Sequence, residues 1–274
     1  MSLSGVERLV LVSDPHGCAE ELSELLDRRV KYVPGRDLVV LCGDVVNKGP
    51  FSIDTLTFAQ RRGLSAVCGN HDQAAIAQRR MRLSSQCESK ASIRSVFNWT
   101  EEMSDTDASW LSNLPFTISF PELNLSVLHA GAVPDVPLEE QRLHDLLMLR
   151  DVIPPADEES DEPSSSSTNG SDFFNDESLA LSGTRFLPCE HPKPERSGVP
   201  WASRWSGGPF LIAGHDARRK LQLYPNAMVI DTGVCYGNEL TAVVVDPSYG
   251  IGECGEGTER HVVNAKREWV PPGA

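Results

Sequence analysis

Residues 38–50 read LVVLCGDVVNKGP. The apolar run Leu38 to Cys42 has the length and β-branched content of a buried strand. It stops at Gly43, and Asp44 follows. A carboxylate at the mouth of a buried strand costs free energy unless it meets a cation or a hydrogen-bonding partner. Four other stretches repeat the arrangement. Glu7 to Ser13 leads into Asp14-Pro15-His16-Gly17, and Leu64 to Cys68 leads into Gly69-Asn70-His71-Asp72. Leu125 to Leu128 leads into His129-Ala130-Gly131, and Phe210 to Ala213 into Gly214-His215-Asp216. Five apolar strands thus deliver Asp, Asn or His at the same end.

Between these strands the apolar spacing turns helical. Helices are expected over Gly17 to Arg29, Ser52 to Arg62 and Gln73 to Arg82. Alternating strand, polar loop and helix predicts an α/β protein with its functional groups at the strand C-terminal ends. Met81 to Leu114 is polar, with Trp99, Met103, Trp110 and Leu111 packing it onto the body. Phe116 to Phe120 is a further strand. Leu138 to Arg150 reads as a helix with Leu143, Leu146, Leu147 and Met148 inward. Ala227 to Ile230 and Thr241 to Val245 are strands flanking Asp231-Thr232-Gly233.

The chain of 274 residues is 40% hydrophobic and 23% charged, values ordinary for a soluble globular protein. No apolar run approaches the ~20 residues of a membrane span. Met1 to Glu7 lacks the basic and apolar regions of a signal peptide, so no targeting segment and a cytoplasmic location are expected. Seven cysteines, none in a CxxC pair, fit buried reduced thiols.

The net charge is −14, but Asp151 to Ser178 holds nine acidic residues and no Lys or Arg. The remainder carries only −5, so the acidity is local. It argues against broad, non-specific nucleic-acid binding. Residues 154–178 are low-complexity, acidic and serine-rich, and are read as a disordered surface insertion serving protein contact or phosphorylation. Residues 255–274 read as a polar, frayed tail. The organisation expected is one domain over 1–274.

Taken singly, each polar loop has a plainer use. Asp44 could cap a helix, Asn70 could make a turn, and His129 and His215 could be satisfied core histidines. Five such loops after five apolar strands are not explained that way. Oxygen and imidazole donors without thiolate suit Mn, Fe, Zn or Co. There are too many donors for one ion, which predicts two divalent cations, ~3.5–4 Å apart in such sites. One carboxylate must then bridge, and the central Asp44 is placed to do so.

Asp14-x-His16-Gly17, Gly43-Asp44-x-x-x-Lys48-Gly49, Gly69-Asn70-His71-Asp72, His129-x-Gly131 and Gly214-His215 resemble the five motifs of the calcineurin-like metallophosphoesterases, and specifically the phosphoprotein phosphatase superfamily. The likeness runs from about Arg8 to Val245. Within that superfamily, Gly43 to Pro50 and the run GHDARRKLQLYPNAMVIDTGVCYGNELTAV resemble the bacterial symmetrical diadenosine tetraphosphatases. They resemble the eukaryotic ApaH-like phosphatases still more, where Lys stands at the position of Lys48. Protein Ser/Thr phosphatases usually have Arg there and Glu at the position of Asp72.

The resemblance implies a fold of two face-to-face sheets flanked by helices, a β-sandwich with the metals at the strand C-terminal edge. It implies that Asp14 and His16 bind the first metal, that Asp44 bridges, and that Asn70, His129 and His215 bind the second. It implies that His71 protonates the leaving oxygen and that Lys48 neutralises phosphoryl oxygens. Asn47 stands where the protein phosphatases place an Asp that orients the catalytic His, and Asp72 is a second candidate for that task. Manganese is the first expectation, with Fe, Zn or Co as alternatives.

A second phosphate-holding cation is expected at Arg150 or Arg204. The guanidinium fork of Arg204, in Trp201-Ala202-Ser203-Arg204-Trp205, suits bidentate phosphate contact. Trp201 and Trp205 read as core. The expected activity is metal-dependent phosphoric ester or anhydride hydrolysis, with dinucleoside polyphosphates as the preferred substrate. Nucleotide-capped RNA ends and phosphoserine or phosphothreonine proteins are the alternatives. A non-enzymatic metal-binding scaffold is the remaining rival, and the intact ligand set with His71 opposes it.

Overall fold

The computed structural model describes residues 1–84, 94–155, 186–189 and 198–271. The chain begins with β1 (Arg8–Val12), then α1 (Ala19–Glu24), which continues as a π-helical turn over Leu25–Val30. There follow β2 (Asp37–Leu41), α2 (Ser52–Arg61), β3 (Ser65–Ala66) and α3 (Asn70–Leu83). A 3-10 segment, Ser95–Glu101, precedes α4 (Asp105–Ser112), β4 (Thr117–Phe120) and β5 (Leu125–Leu128). Next come α5 (Leu143–Met148), β6 (Asp151–Ile153), β7 (Leu187–Cys189) and β8 (Val199–Pro200). The chain closes with β9 (Phe210–Ala213), β10 (Gln222–Tyr224), β11 (Ala227–Val229), β12 (Glu239–Val245) and β13 (Thr258–Asn264).

Two five-stranded sheets form the body, one in the order β13-β12-β1-β2-β3 and the other β10-β11-β9-β5-β4. The strands alternate between two covered faces. Leu9 and Leu11 of β1, Val243 and Val245 of β12, and Phe210 and Ile212 of β9 meet in the core between the sheets. Val10, Val12, Ala242 and Val244 face the other way, packing with Leu22, Leu25, Leu26 and Leu56 of the helical layer. Leu211 and Ala213 back onto Trp201, Trp205 and Leu146 on the outer side of the second sheet. Coverage on both faces explains why these strands read as continuous apolar runs. Each fully buried Leu or Val side chain contributes about 1.5–3 kcal/mol to such a core.

The parallel pairs set the position of the site. β1 pairs parallel with β2 and β2 with β3, while β5 pairs parallel with β9 and β9 with β11. Six strands therefore point the same way within their own sheets, and each runs into a loop carrying a polar side chain.

Two expectations need correction, and one element was not foreseen. The tail read over 255–274 contains β13, which pairs antiparallel with β12 along seven residues. Val263 is buried, while Glu259 and Arg260 are exposed on this edge strand, so its polarity hid its pairing. Leu143 and Met148 are exposed rather than inward, because α5 is only six residues long and turns Leu146 to the core. The third departure is a small three-stranded sheet, β7-β6-β8, absent from the sequence reading. Of the proposed insertion at 154–178, residues 156–178 lie outside the described residues, but β6 and β7 bring Ile153 and Leu187 into register beside it.

Candidate active site

The loops after the parallel strands converge on one cleft of about 340 Å³. His16, Asp44, Asn70, His71 and His215 line it, together with Lys48, Arg150, Arg218 and Lys220. Asp14 and His129 lie behind them, at 1% and 0% exposure. Close approach of these loops requires glycine: a Cβ at Gly69 would collide with Asp44, and one at Gly214 with Asp14. His16, Asp44, Asn47, Lys48 and His215 all hold positive φ, between 46° and 72°. Left-handed backbone costs most non-glycine residues roughly 1–2 kcal/mol each, Asn and Asp less, so the surrounding structure stabilises strain at His16, Lys48 and His215 in one place.

The donor atoms fall into two groups that share a carboxylate. Asp14, His16 and Asp44 form one group, and Asp44, His129 and His215 the other. Asp44 Oδ2 lies 3.5 Å from His16 Nε2 and 3.5 Å from His129 Nε2. His129 Nδ1 donates to the Cys42 carbonyl at 2.9 Å, which leaves the Nε2 lone pair on the side of the Asp44 and Asn70 oxygens, where all three could face one cation. Asn70 Oδ1 is 3.0 Å from that nitrogen. Asp44 Oδ1 accepts from the His71 N–H at 2.8 Å, fixing the carboxylate at the first turn of α3.

The electrostatics call for positive charge. Burial raises the Asp14 pKa well above the ordinary carboxylate range, and neighbouring Asp231 and Asp44 add to it. Burial also opposes charge on Asp44, but His129, His16 and His71 around it bring its pKa below the usual range. Burial pushes His16 and His215 well below the normal imidazole value and lowers His129 as well, so these rings offer lone pairs. Asp14 Oδ1 and His215 Nε2 are buried without a hydrogen-bond partner among the described residues. Orphaned acceptors of this kind are costly, and divalent cations would satisfy them. The donor set, hard oxygen and imidazole with one shared carboxylate, fits a pair of such ions.

Around this core the other expected residues divide. Asn47 contacts His71, its Nδ2 lying 2.9 Å from His71 Nδ1. Lys48 Nζ donates to the Tyr236 hydroxyl at 2.6 Å, and that bond keeps its pKa above normal despite burial. Arg150 lines the cleft and donates to the His215 carbonyl at 3.2 Å. Arg204 does not join them. It is exposed, beyond the Trp201–Ser203 turn, and does not line the cleft. Asp72 is also withdrawn: fully buried, it accepts from the Gly69 N–H at 2.9 Å and the Val46 N–H at 3.3 Å, capping α3. Trp201 and Trp205 pack edge-to-face in the outer core, away from the cleft.

Sequence reasoning missed Asp231. It follows β11, is 2% exposed and lines the cleft, with Oδ1 accepting from the Gly233 N–H at 2.9 Å. Burial raises its pKa to about 7. The signal was present, since Ala227 to Ile230 is an apolar strand ending in a carboxylate like the others.

The family model for calcineurin-like phosphoesterases matches residues 7–218. The chain belongs to this family. It is a hydrolase of the metallophosphoesterase type; the family implies divalent metal ions, and the donor groups described above could hold them. A symmetrical bis(5'-nucleosyl)-tetraphosphatase of Shewanella frigidimarina is 30% identical over 256 residues, covering 84% of this chain and 92% of that protein. The like-named protein of Aromatoleum aromaticum is 27% identical, covering 85% and 91%. A crystal structure assigned to a diadenosine tetraphosphatase superposes with a TM-score of 0.72 at 28% identity, covering 97% of both chains. A protein serine/threonine phosphatase of Saccharomyces cerevisiae matches at a TM-score of 0.51 and 15% identity, covering 96% of this chain and 82% of that one, a likeness of fold alone. No helix among the described residues is long and apolar enough to cross a membrane.

Proposed function

We propose that this phosphoesterase hydrolyses dinucleoside polyphosphates symmetrically, converting diadenosine tetraphosphate to two ADP, with manganese as the first-choice metal. The observation that carries this reading is the composition of the cleft. Lys48, Arg150, Arg218 and Lys220 line the same 340 Å³ cleft as the clustered carboxylates and histidines. Several cations beside one reaction centre suit a chain of phosphates better than a single phosphomonoester. The names of the relatives support the same substrate class.

Asp14 and His16 would hold one cation, His129, His215 and Asn70 the other, and Asp44 both. Bound there, two divalent cations supply Lewis acidity, withdrawing charge from phosphoryl oxygens and making hydroxide available near neutral pH. Lys48, fixed by Tyr236, sets a positive charge over the transferred phosphoryl group. Arg150 reaches the cleft from the loop before β6 and binds phosphate oxygens. His71 presents its ring to the oxygen that leaves. The protein's share of catalysis is thus positioning and charge stabilisation, and no covalent phosphoenzyme is required.

Parallel assays with Mn²⁺ on diadenosine tetraphosphate, nucleotide-capped RNA and a phosphoserine peptide test the reading, with Asp44→Asn as control. The reading expects the highest kcat/KM on the dinucleotide and loss of turnover in the variant. A higher kcat/KM on RNA or peptide overturns the substrate assignment.

A further inference from the structure

We infer that the strap after β13, residues 265–270, is a positioning element: anchored by Trp269, it holds Tyr236 against Lys48 and so aims the ammonium at the transferred phosphoryl group. This role rests on the proposed action of Lys48 on phosphate and deepens it. Tyr236 and Asn238, in the loop between β11 and β12, line the cleft. The Tyr236 hydroxyl accepts from Lys48 Nζ at 2.6 Å, and the ammonium lies 5.0 Å from the centre of the same ring. A lysine stem is flexible. The aim of Lys48 therefore depends on Tyr236, and Tyr236 depends on the backbone that carries it.

Val234 and Cys235 sink into the helical core, whereas Tyr236 to Asn238 turn toward the cleft around Gly237, whose φ is 82°. The strap covers this turn from behind. The Trp269 and Val270 N–H groups donate to the Cys235 carbonyl at 3.0 and 3.2 Å, and the Ala265 N–H donates to the Asn238 carbonyl at 2.6 Å. Tyr236 and Glu268 pair as an antiparallel bridge. A Cβ at Gly237 would press on Glu268, 3.2 Å from its Cβ and 3.3 Å from its Cα. The turn is thus enclosed between the strap and the cleft.

The strap is itself fixed at two points. The Lys266 N–H donates to Oε1 of Glu21, a residue of α1 that is 1% exposed. A carboxylate so deep is costly without a donor, and the strap supplies one. At the other point the Trp269 ring packs edge-to-face on Phe51, with centroids 6.2 Å apart, and the Arg267 guanidinium lies 4.0 Å from the Trp269 ring centre. Phe51 follows Lys48-Gly49-Pro50 at the start of α2. The strap therefore touches the segments that carry both partners of the Lys48–Tyr236 bond. The indole N–H of Trp269 is buried without a partner among the described residues, so the ring and not its polar atom makes the contact.

Trp269→Ala, with circular dichroism and metal content unchanged, should lower kcat on diadenosine tetraphosphate about tenfold and leave KM within about twofold, as a displaced transition-state contact does. Trp269→Phe keeps the aromatic contact and should restore kcat to within about threefold of wild type. Because the strap acts through Tyr236, the two effects should not multiply: Trp269→Ala with Tyr236→Phe should stay within about twofold of Tyr236→Phe alone. ¹⁹F spectra of protein labelled with 3-fluorotyrosine, assigned with Tyr236→Phe, read the coupling without substrate. Trp269→Ala should shift or broaden the Tyr236 signal and leave those of Tyr224 and Tyr249 in place. If Trp269→Ala does not fold, Phe51→Leu removes the same contact from the other side and carries the same expectations. An unchanged kcat, effects that multiply in the double variant, or an unmoved Tyr236 signal overturns the inference. A protein that splits no dinucleoside polyphosphate would refute the proposed substrate, whereas the spectra would still decide whether the strap holds Tyr236.

Discussion

The backbone N–H of His215 donates to Asp14 Oδ2 across 2.9 Å, although 201 residues separate them in the chain. One residue follows β1 and the other β9, so this bond ties the functional edges of the two sheets. Asp14 Oδ1 meanwhile is buried and has no hydrogen-bond partner among the described residues. Without a cation, this carboxylate destabilises the fold.

Metal binding should therefore stabilise the protein measurably. At 100 times the dissociation constant, mass action contributes about 2.7 kcal/mol, which for a chain of this size is a rise of roughly 5–10 °C in Tm. Asp14→Asn keeps an oxygen for the His215 N–H but removes the charge. It should lose most of that rise and lower kcat by at least ~10²-fold. Calorimetry with and without Mn²⁺, together with metal analysis, checks both effects.

Asp231 gives a pH dependence with a defined sign. Its pKa in the folded protein is raised to about 7 by burial, above the unfolded value of about 3.9. The folded state then holds the proton more tightly, so its stability falls as pH rises from the unfolded value and the loss is complete above about pH 7. Asp231→Asn retains an acceptor for Gly233 and should raise the Tm of the metal-free protein more at pH 7.5 than at pH 5. An equal gain at both values would remove Asp231 from the account.

Much of the site was legible because its grammar is local. An apolar strand followed at once, or after one small residue, by Asp, Asn or His is a pattern of six or seven residues, and it identified Asp14, Asp44, Asn70, His129 and His215. What escaped depends on distant partners. Nothing in Glu239 to Asn264 announced that β12 and β13 pair, because an edge strand carries polar residues on its exposed side. Arg150 and Arg204 are equivalent as letters, and only the packing of Trp201 and Trp205 placed the second one outside. Trp99 reads as a core aromatic, and only the fold brings its indole N–H to Asn47 Oδ1, 52 residues earlier in the chain.

The same distinction predicts unequal arginines. Arg150→Ala should raise KM for the dinucleotide about tenfold or more, since charge-assisted contacts to phosphate contribute ~1.5–3 kcal/mol. Arg204→Ala should stay within twofold. Steady-state kinetics on the two variants, with metal content held equal, separates them.

β6 and β7 place Ile153 and Leu187 opposite each other, so a short turn can close the gap between them. Replacing residues 156–184 with a Gly-Ser turn should change Tm by no more than a few degrees and leave kcat/KM within about threefold. Loss of folding would mean that the replaced segment is needed for the body of the protein.

The most direct test of symmetrical hydrolysis is mass analysis of products formed from diadenosine tetraphosphate in H₂¹⁸O with Mn²⁺. The account predicts ADP as the sole nucleotide product, with one ¹⁸O per pair of ADP molecules, because water oxygen enters at the central anhydride. ATP and AMP as products, or ¹⁸O appearing in inorganic phosphate, would contradict it.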